Sequence, residues 1–445
     1  MPTRVRQDQM RIKKPAAVFL FAFLVFCGFA SPLRSDAASE RPLLMTWYPP
    51  PPGDKMQIIA GLDLETLEAL TESGVVQYFQ PRPEKGRWDI VVGMMIHAPA
   101  QTVWDVATDY PGLCQLLPKT FDSCQTVSKQ GNQTVMHYLL HSSVLRFPLK
   151  LDITDEIIES APDRWRLNTI KGSLAGREVD LLLIPIGADR TLALMRYYGA
   201  LTSINLLVKT VLALLPDLES PVYASAAAYH LRSYKNEAEK RAGYSADKAD
   251  APLDFSRLEP ATLNQLCRWY GGLVRETSQG KTINSMAFTS IDAPRETAWE
   301  VMSDFEHYDR FFPDSTTIVE KREQNQVVLR QSRKAFSVYI FSYDFDLHAR
   351  YFLEEPSRMS WQAIDGPYRD SKGDFALMPY DQGKKTFVFA TAGIVTERDQ
   401  SLTMKIVKSG EFPFESMVNL FFARSVLNQF KLEAEKRTAL PGQLK

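Results

Sequence analysis

Histidine and cysteine are scarce in this 445-residue chain, with 6 and 4 copies respectively, and the scarcity narrows the chemistry at once. Beyond Cys27 only Cys114, Cys124 and Cys267 remain, which allows one disulfide at most and no zinc-type spacing. Cys114 and Cys124 are close enough in sequence to close a short loop; two buried thiols are the alternative. In a strand, His137 and His141 would share a face about 13 Å apart by the extended rise, too far to hold one metal. There is no Gly-x-Ser-x-Gly elbow, no His-Glu-x-x-His pair and no glycine-rich phosphate loop. No catalytic residue, metal or cofactor is therefore assigned. Asp152, Asp155 and Glu156 read as a solvated strand edge.

A dominant charge is missing too. Lys and Arg number 52 against 53 Asp and Glu, a formal net charge of -1, so no polyanion field covers the surface and nucleic acid is not an expected partner. Long apolar runs are absent except for Ala16 to Ala30, which follows Arg4, Arg6, Arg11, Lys13 and Lys14. That is the pattern of a secretory signal, and the run is shorter than the roughly 20 residues of a membrane span. The mature protein is expected to begin after Ala30 or Ala37 and to be exported, to a bacterial periplasm or a membrane face. Phe26 stands where a lipoprotein signal at Cys27 would need a small residue. The remaining chain, 45% hydrophobic and 24% charged overall, suits two or three globular domains.

What is present is a repeat. His97-Ala-Pro-Ala-Gln-Thr-Val-Trp-Asp-Val-Ala-Thr-Asp-Tyr-Pro111 answers to Asp292-Ala-Pro-Arg-Glu-Thr-Ala-Trp-Glu-Val-Met-Ser-Asp-Phe-Glu306. Pro99 and Pro294, Trp104 and Trp299, and Asp109 and Asp304 are each 195 residues apart, and Glu237 to Arg241 returns as Glu433 to Arg437 at an offset of 196. The lead-in Leu62 to Leu70 likewise recurs as Leu258 to Leu266, each reading as a short helix. The expected plan is a signal over 1–38, a proline-rich connector over 39–61, a first domain over 62–242, a polar linker over 243–257, a second domain over 258–438 and a tail over 439–445.

Within the first unit, Arg87 to Ile96 alternates like a strand, Pro99 opens a short helix and a second ends near Leu117. Strand-like runs follow at Phe121 to Lys129, Gln133 to Ser142, Leu145 to Ile158, Arg164 to Lys171, Glu178 to Ile186 and Thr191 to Tyr198. Their short connections predict an antiparallel meander. The unit closes with a helix over Pro221 to Arg241, matched in the second by Ser416 to Arg437. The fold class is therefore α+β.

The Ala-Pro-x-x-Thr-x-Trp-(Asp/Glu)-Val stretches, followed by Leu-Pro or Phe-Pro, resemble the opening of START-like (SRPBCC) domains, in particular the group of polyketide cyclases and coenzyme Q-binding proteins. The resemblance covers both repeats. It implies two tandem helix-grip domains, each a curved antiparallel sheet around a long C-terminal helix, with a hydrophobic small molecule or lipid held between. Trp104 and Trp299 are read as core anchors. Alanines at 224 and 226 to 228 leave space in the first closing helix, where the second has Met417, Leu420, Phe421 and Phe422; the larger cavity is expected in the first unit. Candidate ligand-binding residues are Arg196, Tyr198, Tyr223, Ala227 and Arg350. A non-catalytic carrier is favoured, with transient membrane contact. An aromatase or cyclase and a structural tandem with collapsed cavities are the rivals.

Overall fold

The computed structural model describes residues 61–82, 87–117, 120–144, 147–160, 162–199, 219–244, 253–276, 282–312, 315–338, 341–393, 395 and 414–439. The signal-like segment, the proline-rich connector and most of the linker lie outside them.

Each repeat opens with a helix capped by its own acidic residue. In α1 (Leu64–Glu72) the Asp63 carboxylate accepts from the Thr66 backbone N–H at 2.7 Å. A two-stranded start follows, β1 (Val75–Arg82) and β2 (Arg87–Ile96), then α2 (Ala100–Ala107) and α3 (Leu113–Leu116). The meander is β3 (Phe121–Gln130), β4 (Gln133–Val144), β5 (Phe147–Ser160), β6 (Arg164–Gly172), β7 (Glu178–Ile186) and β8 (Arg190–Tyr198), closed by α4 (Glu219–Arg241). The second unit repeats the order as α5 (Pro260–Arg268), β9 (Gly272–Glu276), β10 (Thr282–Ile291), α6 (Arg295–Ser303), a 3-10 turn at Phe305–Arg310, β11 (Ser315–Glu323), β12 (Gln326–Val338), β13 (Phe341–Glu354), β14 (Arg358–Asp365), β15 (Lys372–Tyr380), β16 (Lys385–Gly393) and α7 (Phe414–Ala439).

The strands β1 and β9 do not stand out in the sequence, and they decide the architecture. They pair antiparallel, Val75 with Val274, Val76 with Leu273 and Gln77 with Gly272, so the two sheets become one of 16 strands. Its order, β11-β12-β13-β14-β15-β16-β10-β9-β1-β2-β8-β7-β6-β5-β4-β3, mirrors itself about this seam. The lead-in helices obey the same pseudo-two-fold: Asp63 N–H donates to Thr262 Oγ1 and Glu259 N–H to Thr66 Oγ1, each at 2.8 Å. Reciprocal contacts of this kind define an isologous interface.

The central strands are apolar on both faces. Ile90, Val92, Met94 and Ile96 of β2 join the first unit's core, while Val91 and Met95 join a core shared with Leu67 and Leu70 of α1 and Leu263 and Leu266 of α5. Such strands lose the alternation by which a half-exposed strand is recognised. A third core lies in the second unit. Trp104 and Trp299 are buried at matching positions: the hydroxyl four residues on, Thr108 or Ser303, donates to the tryptophan carbonyl at 2.8 Å.

Candidate functional site

The closing helices are fixed at their C-terminal halves by the same two bonds. Lys235 Nζ donates to the Met95 carbonyl at 2.7 Å, and Glu239 Oε1 accepts from the His97 backbone N–H at 2.9 Å. In the second unit Lys431 donates to Ser290 and Glu435 accepts from Asp292, at the same distances. The charged tail of each helix thus positions its apolar half against the sheet. In the first unit that half brings Tyr223, Ala224, Ala227, Ala228 and Leu231 into the core.

Facing them, the sheet carries a polar cluster within the apolar core. β5 turns Leu151, Ile153 and Ile157 inward, and Asp155 shares their face at 1% exposure. Asp155 accepts from Thr169 Oγ1 at 2.5 Å and from Arg177 Nη2 at 2.6 Å. Arg177 also donates through Nε to Thr169 Oγ1 at 3.0 Å and through Nη1 to Tyr197 Oη at 2.9 Å. Burial opposes the charge on Arg177, but Asp155 and Tyr197 outweigh it and hold the guanidinium protonated more firmly than usual. Tyr223 lies with its ring 5.1 Å from that of Tyr197. Burial raises the Tyr138 phenol, with Asp155 adding to it, and burial raises Tyr234. His230 is pushed down to about 4, first by burial and then by Arg177. At neutral pH the cluster therefore holds one compensated ion pair, neutral phenols and a neutral imidazole.

Among the described residues the second unit has no such cluster. Strand register places Ala349 and Ala363 where the first unit has the Asp155 and Thr169 pair. Ser371 takes the position of Arg177, since its carbonyl accepts from Ala363 N–H as that of Arg177 does from Thr169 N–H. Ala392 stands in for Tyr197. The second core instead carries a ring cluster, in which Phe430 lies 5.5 Å from Phe312, 5.7 Å from Tyr308 and 6.0 Å from Phe375. Leu420 is buried; the side chains of Met417, Phe421 and Phe422 lie outside the described residues.

Of the candidate residues, Tyr223 and Ala227 face this interior. Arg196 and Tyr198 do not: on β8, Ala193, Met195 and Tyr197 belong to the first core, and the alternate positions Leu192 and Leu194 to the shared one. Arg196 bonds Asp180 and lies 3.4 Å from Asp89 on that opposite face. Arg350 is exposed, on the outer face of β13. Asp155, read as part of a solvated edge, is buried, and Arg177 was not singled out at all. The face-setting signal was there in the odd positions Leu151, Ile153 and Ile157, a series to which Asp155 also belongs. Cys114 and Cys124 form a disulfide with Cα atoms 5.9 Å apart. His137 and His141 pair with separate carboxylates, Asp152 at 3.0 Å and Asp122 at 2.7 Å. Among the described residues no group of three or more His, Cys, Asp or Glu could hold a metal, and no helix is long and apolar enough to cross a membrane.

Residues 291–433 match the family model described as polyketide cyclase / dehydrase and lipid transport. The matched stretch lies within the second unit. The START-like resemblance carried by the Ala-Pro-x-x-Thr motif is thereby shown, and the first unit repeats the motif and the order of elements. No curated protein matches the chain. Solved structures similar to it include the di-domain ARO/CYC StfQ from the steffimycin biosynthetic pathway (10% identity, 79% of this chain and 99% of that one, TM-score 0.28). The di-domain ARO/CYC BexL from the BE-7585A biosynthetic pathway is another (11% identity, 78% and 97%, TM-score 0.28). The Zhui aromatase/cyclase from Streptomyces sp. R1128 covers a single unit (15% identity, 35% and 98%, TM-score 0.25).

Proposed function

We propose that this START-like chain is a non-catalytic carrier of a hydrophobic small molecule or lipid, held in the first unit between α4 and the inner face of its sheet. Each repeat, 62–242 and 258–438, is read as a helix-grip domain, with the second packed to stabilise the first. The observation that carries the reading is the buried Asp155–Thr169–Arg177–Tyr197 cluster beneath the alanine face of α4, present in one unit and replaced by small apolar or hydroxyl residues in the other. A polar group inside an apolar wall orients a guest. An Arg already bonded to Asp, and phenols raised out of the titrating range, make poor proton movers.

Export is part of the proposal, supported by the basic and apolar N-terminal segment and by the Cys114–Cys124 disulfide, which persists in oxidising compartments. Transient membrane contact at a lipid donor or acceptor follows from the carrier role, and nucleic acid is not part of it. A second reading, a cyclase acting on an aromatic polyketide-like substrate, draws on His230, whose unprotonated imidazole could accept a proton. Native mass spectrometry of protein purified from its own host decides between them. A carrier retains an apolar guest and returns it chemically unchanged; a guest returned with altered mass supports the cyclase, and an empty first unit supports the structural tandem.

A further inference from the structure

The second unit places a cation at the wall of the first. Arg424 projects from α7 across the seam, its guanidinium carbon 5.0 Å from the centroid of Phe79, a member of the first unit's core. Its Nη2 donates to the Tyr270 carbonyl, and its Nε is buried without a hydrogen-bond partner. Among the described residues no carboxylate forms an ion pair with it. A Cβ on Gly272 would stand 3.2 Å from Arg424 Nη2 and 2.7 Å from a Leu420 methyl, so glycine keeps this floor open beneath the guanidinium. Burial pushes Arg424 down to about 9, only partly opposed by Tyr270.

The fold does not require an arginine here. At the repeat offset of 196 the first helix has Ala228, which is buried and carries no charge. Arg424 is half-buried with its Nε out of water, and a cation held so without a counter-charge gives up hydration that a ligand's negative charge can replace. Arg177, buried in the first core, is already neutralised by Asp155, and Arg196 on the opposite face of β8 by Asp180. Among the described residues, Arg424 is a positive charge at the first unit's wall with no carboxylate paired to it.

We propose that Arg424 receives the anionic head group, a carboxylate or phosphate, of an amphiphile whose apolar part lies against the first unit's core, so that the binding site is complete only with the second unit in place. This rests on the carrier reading and adds the head-group charge and the residue that recognises it. A planar guanidinium with a free Nε edge suits either oxyanion, and bonds to charged groups are the stronger kind.

The test is displacement of the neutral dye Nile red from the full-length protein by oleic acid, oleyl alcohol and dodecyl phosphate, with inorganic phosphate followed by thermal shift. The acid and the alkyl phosphate should displace dye at concentrations at least about tenfold lower than the alcohol. Arg424→Met, which keeps an apolar stem of similar length, should erase that gap and leave the alcohol curve within about twofold. Arg424→Lys should keep part of the gap, because the charge survives and the planar fork does not. Circular dichroism checks that each variant folds; should the Met variant fail, an undiminished gap in the Lys variant overturns the proposal. It is also overturned if the wild type binds acid and alcohol alike, or if Arg424→Met leaves the gap intact. Stabilisation by inorganic phosphate that disappears in Arg424→Met, without any gap among amphiphiles, identifies a free-anion site and rejects the amphiphile. Failure of every amphiphile, alcohol included, to displace dye counts against the carrier reading itself.

Discussion

Asp155 and Arg177 show how a single pair divides stability from recognition. Both are buried, so Asp155→Asn leaves the guanidinium uncompensated and should cost about 3 to 5 kcal/mol in denaturant unfolding, whereas Asp155→Ala with Arg177→Met should come back close to the wild type. A double variant as unstable as the single one would mean that the pair supports the fold in some other way. His230 supplies the pH dependence. Its folded value, about 4, lies below the ordinary 6.5, so between these values the unfolded chain binds more protons than the native one. The His230 contribution to stability is therefore fully present above about pH 6.5 and is lost as the pH falls toward 4. Replacing His230 with Phe should flatten the stability curve in that window, and an unchanged slope would place the acid sensitivity elsewhere.

At the scale of elements, α4 combines an anchored C-terminal half with a small-residue stretch over the polar cluster. Ala227 is fully buried against the first core, so Ala227→Phe overfills it, with a cost of about 1 to 3 kcal/mol and, if the guest sits beneath the helix, loss of dye uptake. Uptake unchanged at reduced stability would place the guest away from α4. The short connection between α3 and β3 is closed by the disulfide, with Cys114 and Cys124 ten residues apart. A double Cys→Ser variant should lose about 2 to 4 kcal/mol, measured by chemical denaturation under non-reducing conditions.

The whole molecule is governed by the seam. Because α1, α5, β1 and β9 contribute to one core, neither repeat can unfold without exposing apolar surface of the other. Calorimetry should therefore show a single transition, and Leu273→Asp, which puts a charge into the shared core, should weaken both repeats together. Two well-separated transitions in the wild type would show that the continuous sheet does not couple them. Thr66→Val and Thr262→Val, which remove reciprocal bonds, should have effects of similar size.

The amino-acid sequence by itself determined the repeat, the α+β class and the order of elements, because local periodicity, proline placement and the offset of Trp104 and Trp299 are carried along the chain. It identified the closing helices, on one of which Tyr223 and Ala227 lie in the first core. Only the tertiary structure decided that β1 and β9 exist as strands and join the sheets: β1 is apolar toward two cores and so shows no alternation, and β9 is five residues long. It alone set which face of β8 looks inward, turning Tyr197 toward α4 and Arg196 away, since a strand read by itself has two equivalent faces. It also brought Asp155, Thr169, Arg177 and Tyr197 together, and Arg424 to Phe79, because those contacts depend on strand register and on a seam that no local stretch of sequence encodes.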